Sequence, residues 1–199
     1  MGDYFRYGVY YRGFGQPKRG VAVFIPLEGY LAESISQKVG PFVALGSPED
    51  FIQPVSGAAR KYATDSTWQQ DFDQLARSAV AILVEVGNSA NLTWEFEHIR
   101  QNGWHERLIL LTGHPSWRVT KNPVAWPWIQ RLMGSTKPSW AEFSSRLARL
   151  GYDLDPTDPG PGSIISFDAN GRGVVLTTRA DLPWQYTHTI RARVAPIAE

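Results

Sequence analysis

The stretch ANLTWEFEHI, residues 90–99, contains a carboxylate whose position suggests chemistry. As a helix at about 100° per residue, this stretch has Glu95 on the edge of its apolar stripe. The stripe consists of Leu92, Phe96 and Ile99. A carboxylate at that edge would point into a crevice rather than into solvent. The alternative is an acidic residue in the first turn of a helix capped by Thr93, which the helix dipole favours on any face.

Four apolar segments alternate with helical patterns along the first half of the chain. The segments are VAVFI (21–25), PFVAL (41–45), VAILVEV (80–86) and RLILLT (107–112), and the helical patterns cover 28–39, 65–78 and 90–99. Strands that are apolar throughout and separated by helices are typical of a parallel sheet covered on both faces. We therefore predict an α/β fold with an open, mostly parallel, flavodoxin-like sheet and helices on both faces. Ligands of such sheets bind at the carboxyl ends of the strands.

Three segments of different character divide the chain. Residues 1–20 form an N-terminal arm, 21–136 the α/β domain, and 137–199 a C-terminal extension packed on the same domain. In the arm, aromatic and basic residues alternate, which suits either a membrane-proximal segment or an edge strand. The extension is predicted to contain a helix, a hairpin that turns at Asn170-Gly171 and a terminal helix, at 139–151, 163–178 and 182–194.

The composition excludes several function classes. The 199 residues include 20 basic and 19 acidic side chains and no cysteine. Disulfides, thiolate nucleophiles and cysteine-based zinc sites are therefore ruled out, and the even charge disfavours a nucleic-acid binder. No stretch approaches the roughly 20 apolar residues of a membrane span. We expect a soluble, cytoplasmic protein that meets a membrane only if the chain is part of a longer anchored protein.

The block QLARSAVAILVEVGNSANLTWEFEHI, followed by RLILLT, resembles the central part of Toll/interleukin-1 receptor (TIR) domains. The shared features are a helix, an apolar strand, a short Ser/Gly/Asn loop, and a Trp and a Glu that open a helix. The resemblance covers about residues 21–112, and it departs from the family at Ile25-Pro26-Leu27, where Ser and acidic residues are common. The chain is also similar to a group of bacterial proteins that share G-A-A-R-x-Y, D-x-x-W and W-E.

The TIR resemblance implies an activity. In TIR enzymes this helix carries the catalytic glutamate of an NAD glycohydrolase, and the matching residue here is Glu95. Cleavage of the nicotinamide–ribose bond releases a neutral leaving group, so one carboxylate can suffice without a general acid. NAD would be a substrate rather than a cofactor, and another nucleoside or nucleotide is an alternative substrate. The family also implies self-association and a role in signalling or defence.

Other residues of the predicted rim are candidates for substrate binding. Arg60 would hold phosphates, Tyr62, Trp68 and Trp94 would stack on a base or pyridine ring, and Asn88 and Ser89 would contact a ribose. Pro26 lies in the turn after the first strand. Each aromatic has packing as its alternative, and Asn88 and Ser89 have a plain turn. Asp65 is predicted as the N-cap of its helix rather than a ligand.

Motifs for other chemistry are missing from the sequence. There is no G-x-G-x-x-G after a strand and no P-loop, and the four histidines, His98, His105, His114 and His188, lack metal-ligand spacing, so we predict surface or capping roles and no metal site. A second function therefore stands beside the glycosidase. This alternative is a non-catalytic TIR-like module for interaction or nucleotide sensing, with Trp117, Trp126 and Trp128 as its partner surface.

Overall fold

The computed structural model of the protein describes residues 8–10, 23–25, 27–46, 59–62, 66–113 and 138–195. Their elements in chain order are β1 (Gly8–Tyr10), β2 (Val23–Ile25), α1 (Leu27–Lys38), β3 (Val43–Gly46), β4 (Ala59–Tyr62), α2 (Trp68–Ser78), β5 (Ile82–Glu85), α3 (Ala90–Gln101), a 3-10 helix (Trp104–Arg107), β6 (Leu108–Leu111), α4 (Trp140–Arg149), β7 (Ile164–Phe167), β8 (Gly173–Thr177) and α5 (Pro183–Val194). Pro26, Asp65, His114 and the predicted tryptophan surface of Trp117, Trp126 and Trp128 lie outside the described residues.

A four-stranded sheet in the order β5-β6-β7-β8 forms the centre of the described structure. Strand β5 runs parallel to β6, whereas β6 pairs with β7, and β7 with β8, in the antiparallel sense. Strands β1 and β2 form a separate antiparallel pair, and β3 and β4 a parallel one. The α/β prediction is confirmed, but the expectation of a mostly parallel central sheet is wrong. The reason is that the C-terminal hairpin pairs with β6 and supplies half of the sheet.

Helices cover both faces of this sheet. Successive residues of β6 alternate between two apolar clusters, with Leu108 and Leu110 in one and Ile109 and Leu111 in the other. The first cluster lies under α2, α3 and α4, and the second under α1 and α5. Neighbouring side chains of a strand point to opposite faces. Because helices cover both faces, all four residues of β6 are buried.

Helix α3 is anchored to the C-terminal part of the chain through aromatic contacts. The ring of Phe96 meets Phe143 of α4 edge-to-face at 5.9 Å and Tyr152 at 5.8 Å. The Tyr152 hydroxyl donates a hydrogen bond of 2.8 Å to the carbonyl of Phe96, and burial raises the pKa of this phenol well above its ordinary value. These contacts set the orientation of α3 on the sheet, and hence the direction in which its polar residues point.

The predicted hairpin is present and turns where the sequence indicates. The Asp168 carboxylate accepts hydrogen bonds of 2.9 Å from the backbone N–H groups of Asn170 and Arg172. Gly171 has a φ of 84°, and a Cβ there would lie 2.8 Å from the carbonyl oxygen of Gly151. Both the positive φ and the close approach require glycine at this position.

Among the described residues, no helix is long and apolar enough to cross a membrane. This finding concerns α1 to α5, the longest of which have 12 residues.

Truncation of Phe143 tests the packing that orients α3. Because Phe143 is 0% exposed between α3 and α4, we expect Phe143→Ala to lower the free energy of unfolding by about 3–5 kcal/mol. Trp184→Ala is the matched control, since Trp184 is 55% exposed, and we expect a change within about 0.5 kcal/mol. Urea denaturation followed by circular dichroism measures both, and equal losses from the two variants would contradict the packing described here.

Candidate functional site

Helix α3 begins directly after the loop that follows β5. The hydroxyl of Ser89 accepts a hydrogen bond of 3.1 Å from the backbone N–H of Leu92, so Ser89 is the N-cap. Thr93 instead donates its hydroxyl to the Ser89 carbonyl, and the expectation of Thr93 as the cap is wrong. The first turn contains no acidic residue, because Glu95 is the sixth residue of the helix counted from Ala90. The helix-dipole interpretation of Glu95 is therefore wrong, since that effect is confined to the first turn.

Glu95 lies at the edge of the buried face of α3. The predicted apolar stripe is confirmed, with Leu92, Phe96 and Ile99 all at 1% exposure or less. Glu95 itself is half-buried and interacts with neighbouring groups, whereas Glu97, two residues later, is exposed. The carboxylate of Glu95 is thus partly shielded from bulk water and also within reach of it.

The loop between β5 and α3 is held by a residue of α4. Arg146 donates one hydrogen bond to the side-chain oxygen of Asn88 and another to the carbonyl of Gly87. Asn88 and Ser89, predicted to contact a ribose, therefore have contacts that support the turn and the helix start. The sequence did not predict this role of Arg146, because Arg146 is 58 residues from Asn88 in the chain and lies in an ordinary amphipathic helix.

Trp68 and Trp94, the predicted stacking residues, pack against each other where α2 meets α3. Their rings meet edge-to-face at 4.9 Å, and the ring of Phe72 contacts Trp94 at 5.9 Å. The imidazole of His98 lies almost parallel to the indole of Trp94, at 4.6 Å with an interplanar angle of 12°. One face of Trp94 is therefore covered by His98, in agreement with the packing alternative for this residue.

A carboxylate–imidazole pair crosses from α2 to α3 beside these rings. The Nε2 atom of His98 lies 2.9 Å from Oδ1 of Asp73, and Arg77 contacts the other carboxylate oxygen at 3.1 Å. The hydrogen bond to His98, followed by the contacts with Arg77, lowers the pKa of Asp73. The predicted surface or capping role of His98 is wrong, since its side chain joins two helices. The sequence could have indicated the contact of His98 with Trp94, because residues four positions apart are neighbours on a helix.

The phosphate and base candidates before α2 lie in a strand. Arg60 and Tyr62 belong to β4, where they pair with Ala44 and Gly46 of β3. No strand was predicted between the apolar segment at 41–45 and the helical pattern at 65–78, and the parallel pairing of residues 59–62 with β3 corrects that. Helix α2 begins after Thr67 rather than Asp65, so the predicted N-cap is also wrong.

Glu85, the last residue of β5, was not predicted as a site residue. Glu85 is half-buried, and the alternation along β5 directs it to the face covered by α1 and α5. There it acts on Tyr186, whose pKa is raised mainly by burial and further by Tyr30, Glu85 and Asp181. The signal was present, because Glu85 is the single charge in the apolar run VAILVEV.

Metal ligands do not converge in the described part of the chain. None of its histidines, aspartates and glutamates form a group of three or more that could hold a metal ion.

The pair of Asp73 and His98 predicts a pH-dependent effect on stability. The folded state lowers the pKa of Asp73 below its ordinary 3.8, so the carboxylate stabilises the fold above that pH and loses the effect as pH falls through the folded pKa. We expect Asp73→Asn to lower the Tm at pH 6 and to differ less from wild type at pH 3. Asp158→Asn is the control because Asp158 lies in an exposed turn. A difference that grows towards pH 3 would contradict this assignment.

Comparison with known proteins gives no relative from which a role could be transferred. No protein-family model matches the chain, and no curated protein or solved structure matches it. The candidate site is therefore defined by its geometry, and the TIR resemblance stays an expectation from the sequence.

Proposed function

We propose that this protein hydrolyses the nicotinamide–ribose bond of NAD or a related nucleotide, with Glu95 as the carboxylate that acts at the anomeric carbon. The observation that carries the proposal is the position of Glu95. It is half-buried beyond the first turn of α3, on the edge of the buried face. Glu95 interacts with neighbouring groups, and a carboxylate at this position lies outside the reach of helix capping and of the helix dipole.

The chemistry requires little beyond one placed carboxylate. As the glycosidic bond breaks, the electron pair goes to the pyridine nitrogen, and nicotinamide leaves as a neutral molecule. Positive charge develops on the anomeric carbon and the ring oxygen. An ionised Glu95 would stabilise this charge or attack the carbon to form a glycosyl ester. Partial burial strengthens the interaction, because the local dielectric is lower than that of water.

The start of α3 supports a small-molecule ligand at this edge of the sheet. Helix α3 begins after the carboxyl end of β5, the edge at which ligands of α/β sheets bind. Arg60 of β4 is the candidate for the phosphates, and Tyr62 and Trp68 are candidates for the base. In this proposal NAD is consumed as a substrate, and the reaction needs no separate cofactor.

Glu95→Gln tests the proposal because it removes the charge and keeps the shape. We expect wild-type protein at high concentration to release nicotinamide from NAD, and Glu95→Gln to lower the rate at least about 10²-fold. Chromatography of the reaction mixture measures the nicotinamide and the ADP-ribose that each protein forms. Glu97→Gln is the matched control, since Glu97 is exposed and pairs with Gln101 at 3.2 Å, and its rate is expected to stay within about twofold of wild type. Unchanged release by Glu95→Gln would contradict the assigned role.

One observation favours a second function, that of a non-catalytic module for interaction or nucleotide sensing. Asn88, Ser89 and Trp94 all have structural contacts with Arg146, Leu92 and His98, so the rim offers fewer groups to a substrate. Such a module would leave NAD and nucleosides intact and would associate with itself as concentration rises. Sedimentation velocity beside the nicotinamide assay separates the two functions, because association without turnover supports the module.

A further inference from the structure

Asp73 and His98 form a carboxylate–imidazole pair that is sheltered and still reachable by water. The Nε2 atom of His98 is 2.9 Å from the carboxylate, and the two side chains are 21% and 30% exposed. In enzymes, a carboxylate bonded to one nitrogen of an imidazole orients the ring and selects the tautomer that accepts a proton at the other nitrogen.

The ring of His98 is fixed by three aromatic neighbours. Trp94 stacks on it at 4.6 Å, Trp104 meets it edge-to-face at 5.6 Å, and Phe72 does so at 6.2 Å. Because Nε2 faces Asp73, Nδ1 is the nitrogen through which the ring can take a proton. A preset ring orientation is what a base needs, since proton transfer depends on hydrogen-bond geometry.

The charges around the ring favour this tautomer. The hydrogen bond to His98 and the contacts with Arg77 lower the pKa of Asp73. An ionised carboxylate beside Nε2 favours the tautomer of His98 that has its proton on this nitrogen. Arg77 contacts Asp73 from the same helix, and Arg107 lies 5.4 Å from the ring of Trp104. On α3 itself, Glu95 is the acidic residue on the side of His98, because it precedes His98 by three residues.

His98 also follows Glu95 by three residues on the same helix. Residues at this spacing lie on one side of a helix, with Cβ atoms about 5–6 Å apart. A water molecule between the two side chains would therefore have the proposed reacting carboxylate on one side and an imidazole nitrogen on the other.

We propose that Asp73 and His98 are the general-base pair that activates water in the second half of the reaction. This inference rests on the proposed function of Glu95. Nδ1 of His98 takes one proton of the water as its oxygen forms the new bond to the anomeric carbon. If Glu95 holds the sugar as an ester, the ester bond breaks and its electron pair returns to the carboxylate. Asp73 stabilises the imidazolium, which then loses the proton to solvent.

The test separates the two halves of the reaction. Formation of ADP-ribose measures completed hydrolysis, and incorporation of labelled nicotinamide into NAD measures reversal of the first half alone. For His98→Gln, we expect hydrolysis to fall about 10²-fold or more and exchange to persist. Gln retains an N–H group that can donate to Asp73, so a matching Tm of wild type and variant shows that the fold is kept.

Three further variants complete the design. Asp73→Asn is expected to lower hydrolysis with exchange retained, and Glu95→Gln to lower both. His188→Gln is the control, since His188 is an exposed histidine of α5, and it is expected to change neither. Sodium azide, a nucleophile with no proton to remove, is expected to restore NAD consumption in His98→Gln but not in Glu95→Gln.

Each outcome bears on one proposal or on both. Hydrolysis that is unchanged in His98→Gln, or exchange lost together with hydrolysis in a folded variant, overturns the base pair and leaves Glu95 in its role. Neither hydrolysis nor exchange by wild type overturns both proposals. The ¹⁵N spectrum of the histidine side chains gives a readout besides activity. We expect His98 to carry its proton on Nε2, and a proton on Nδ1 in the neutral ring would overturn the base assignment.

Discussion

Burial of β6 on both faces is the constraint on which the rest of the structure depends. Its four residues, Leu108 to Leu111, are at most 4% exposed, and an apolar strand of this kind needs a hydrogen-bonding neighbour on each side and a helical layer on each face. Strand β5 fills one side in parallel, and β7 fills the other in the antiparallel sense. The C-terminal third of the chain is therefore part of the central sheet.

The same constraint determines where polar groups can lie. Helix α3 returns from β5 to β6 and buries Leu92, Phe96 and Ile99 on the sheet, so its polar residues are confined to the flanks. One flank faces α2 and carries His98, which meets Asp73. The other flank carries Arg100, whose guanidinium bonds to the carbonyl of Asn170 in the β7–β8 turn. By helix periodicity, Glu95 falls between the buried stripe and the flank that carries His98.

Much of this arrangement was predictable from periodicity. The helices at 28–39 and 139–151 and the hairpin at Asn170-Gly171 appear within a few residues of their predicted bounds, because apolar spacing and turn residues are local signals. The strand neighbours were not predictable in this way. The sequence 107–112 is equally apolar beside a parallel or an antiparallel partner, so its pattern could not reveal that β7 would pair with it.

In the candidate site too, local features were predictable from the sequence, whereas contacts between helices were not. The edge position of Glu95 follows from helix periodicity alone, and in the structure Glu95 is half-buried. The contacts of Asn88 with Arg146 and of His98 with Asp73 join residues 58 and 25 positions apart, and such pairs arise only when helices pack. Glu85 was visible as a charge in an apolar strand, but its link to Tyr186 depends on α5 covering that face.

The central claim is that the carboxylate of Glu95 breaks an N-glycosidic bond. Simultaneous quantification of nicotinamide and ADP-ribose, after incubation of NAD with concentrated protein, tests that claim most directly. The account predicts equal amounts of the two products from wild type and at least about 10²-fold less of each from Glu95→Gln. Intact NAD at every protein concentration, or cleavage that survives the loss of this carboxylate, would contradict it.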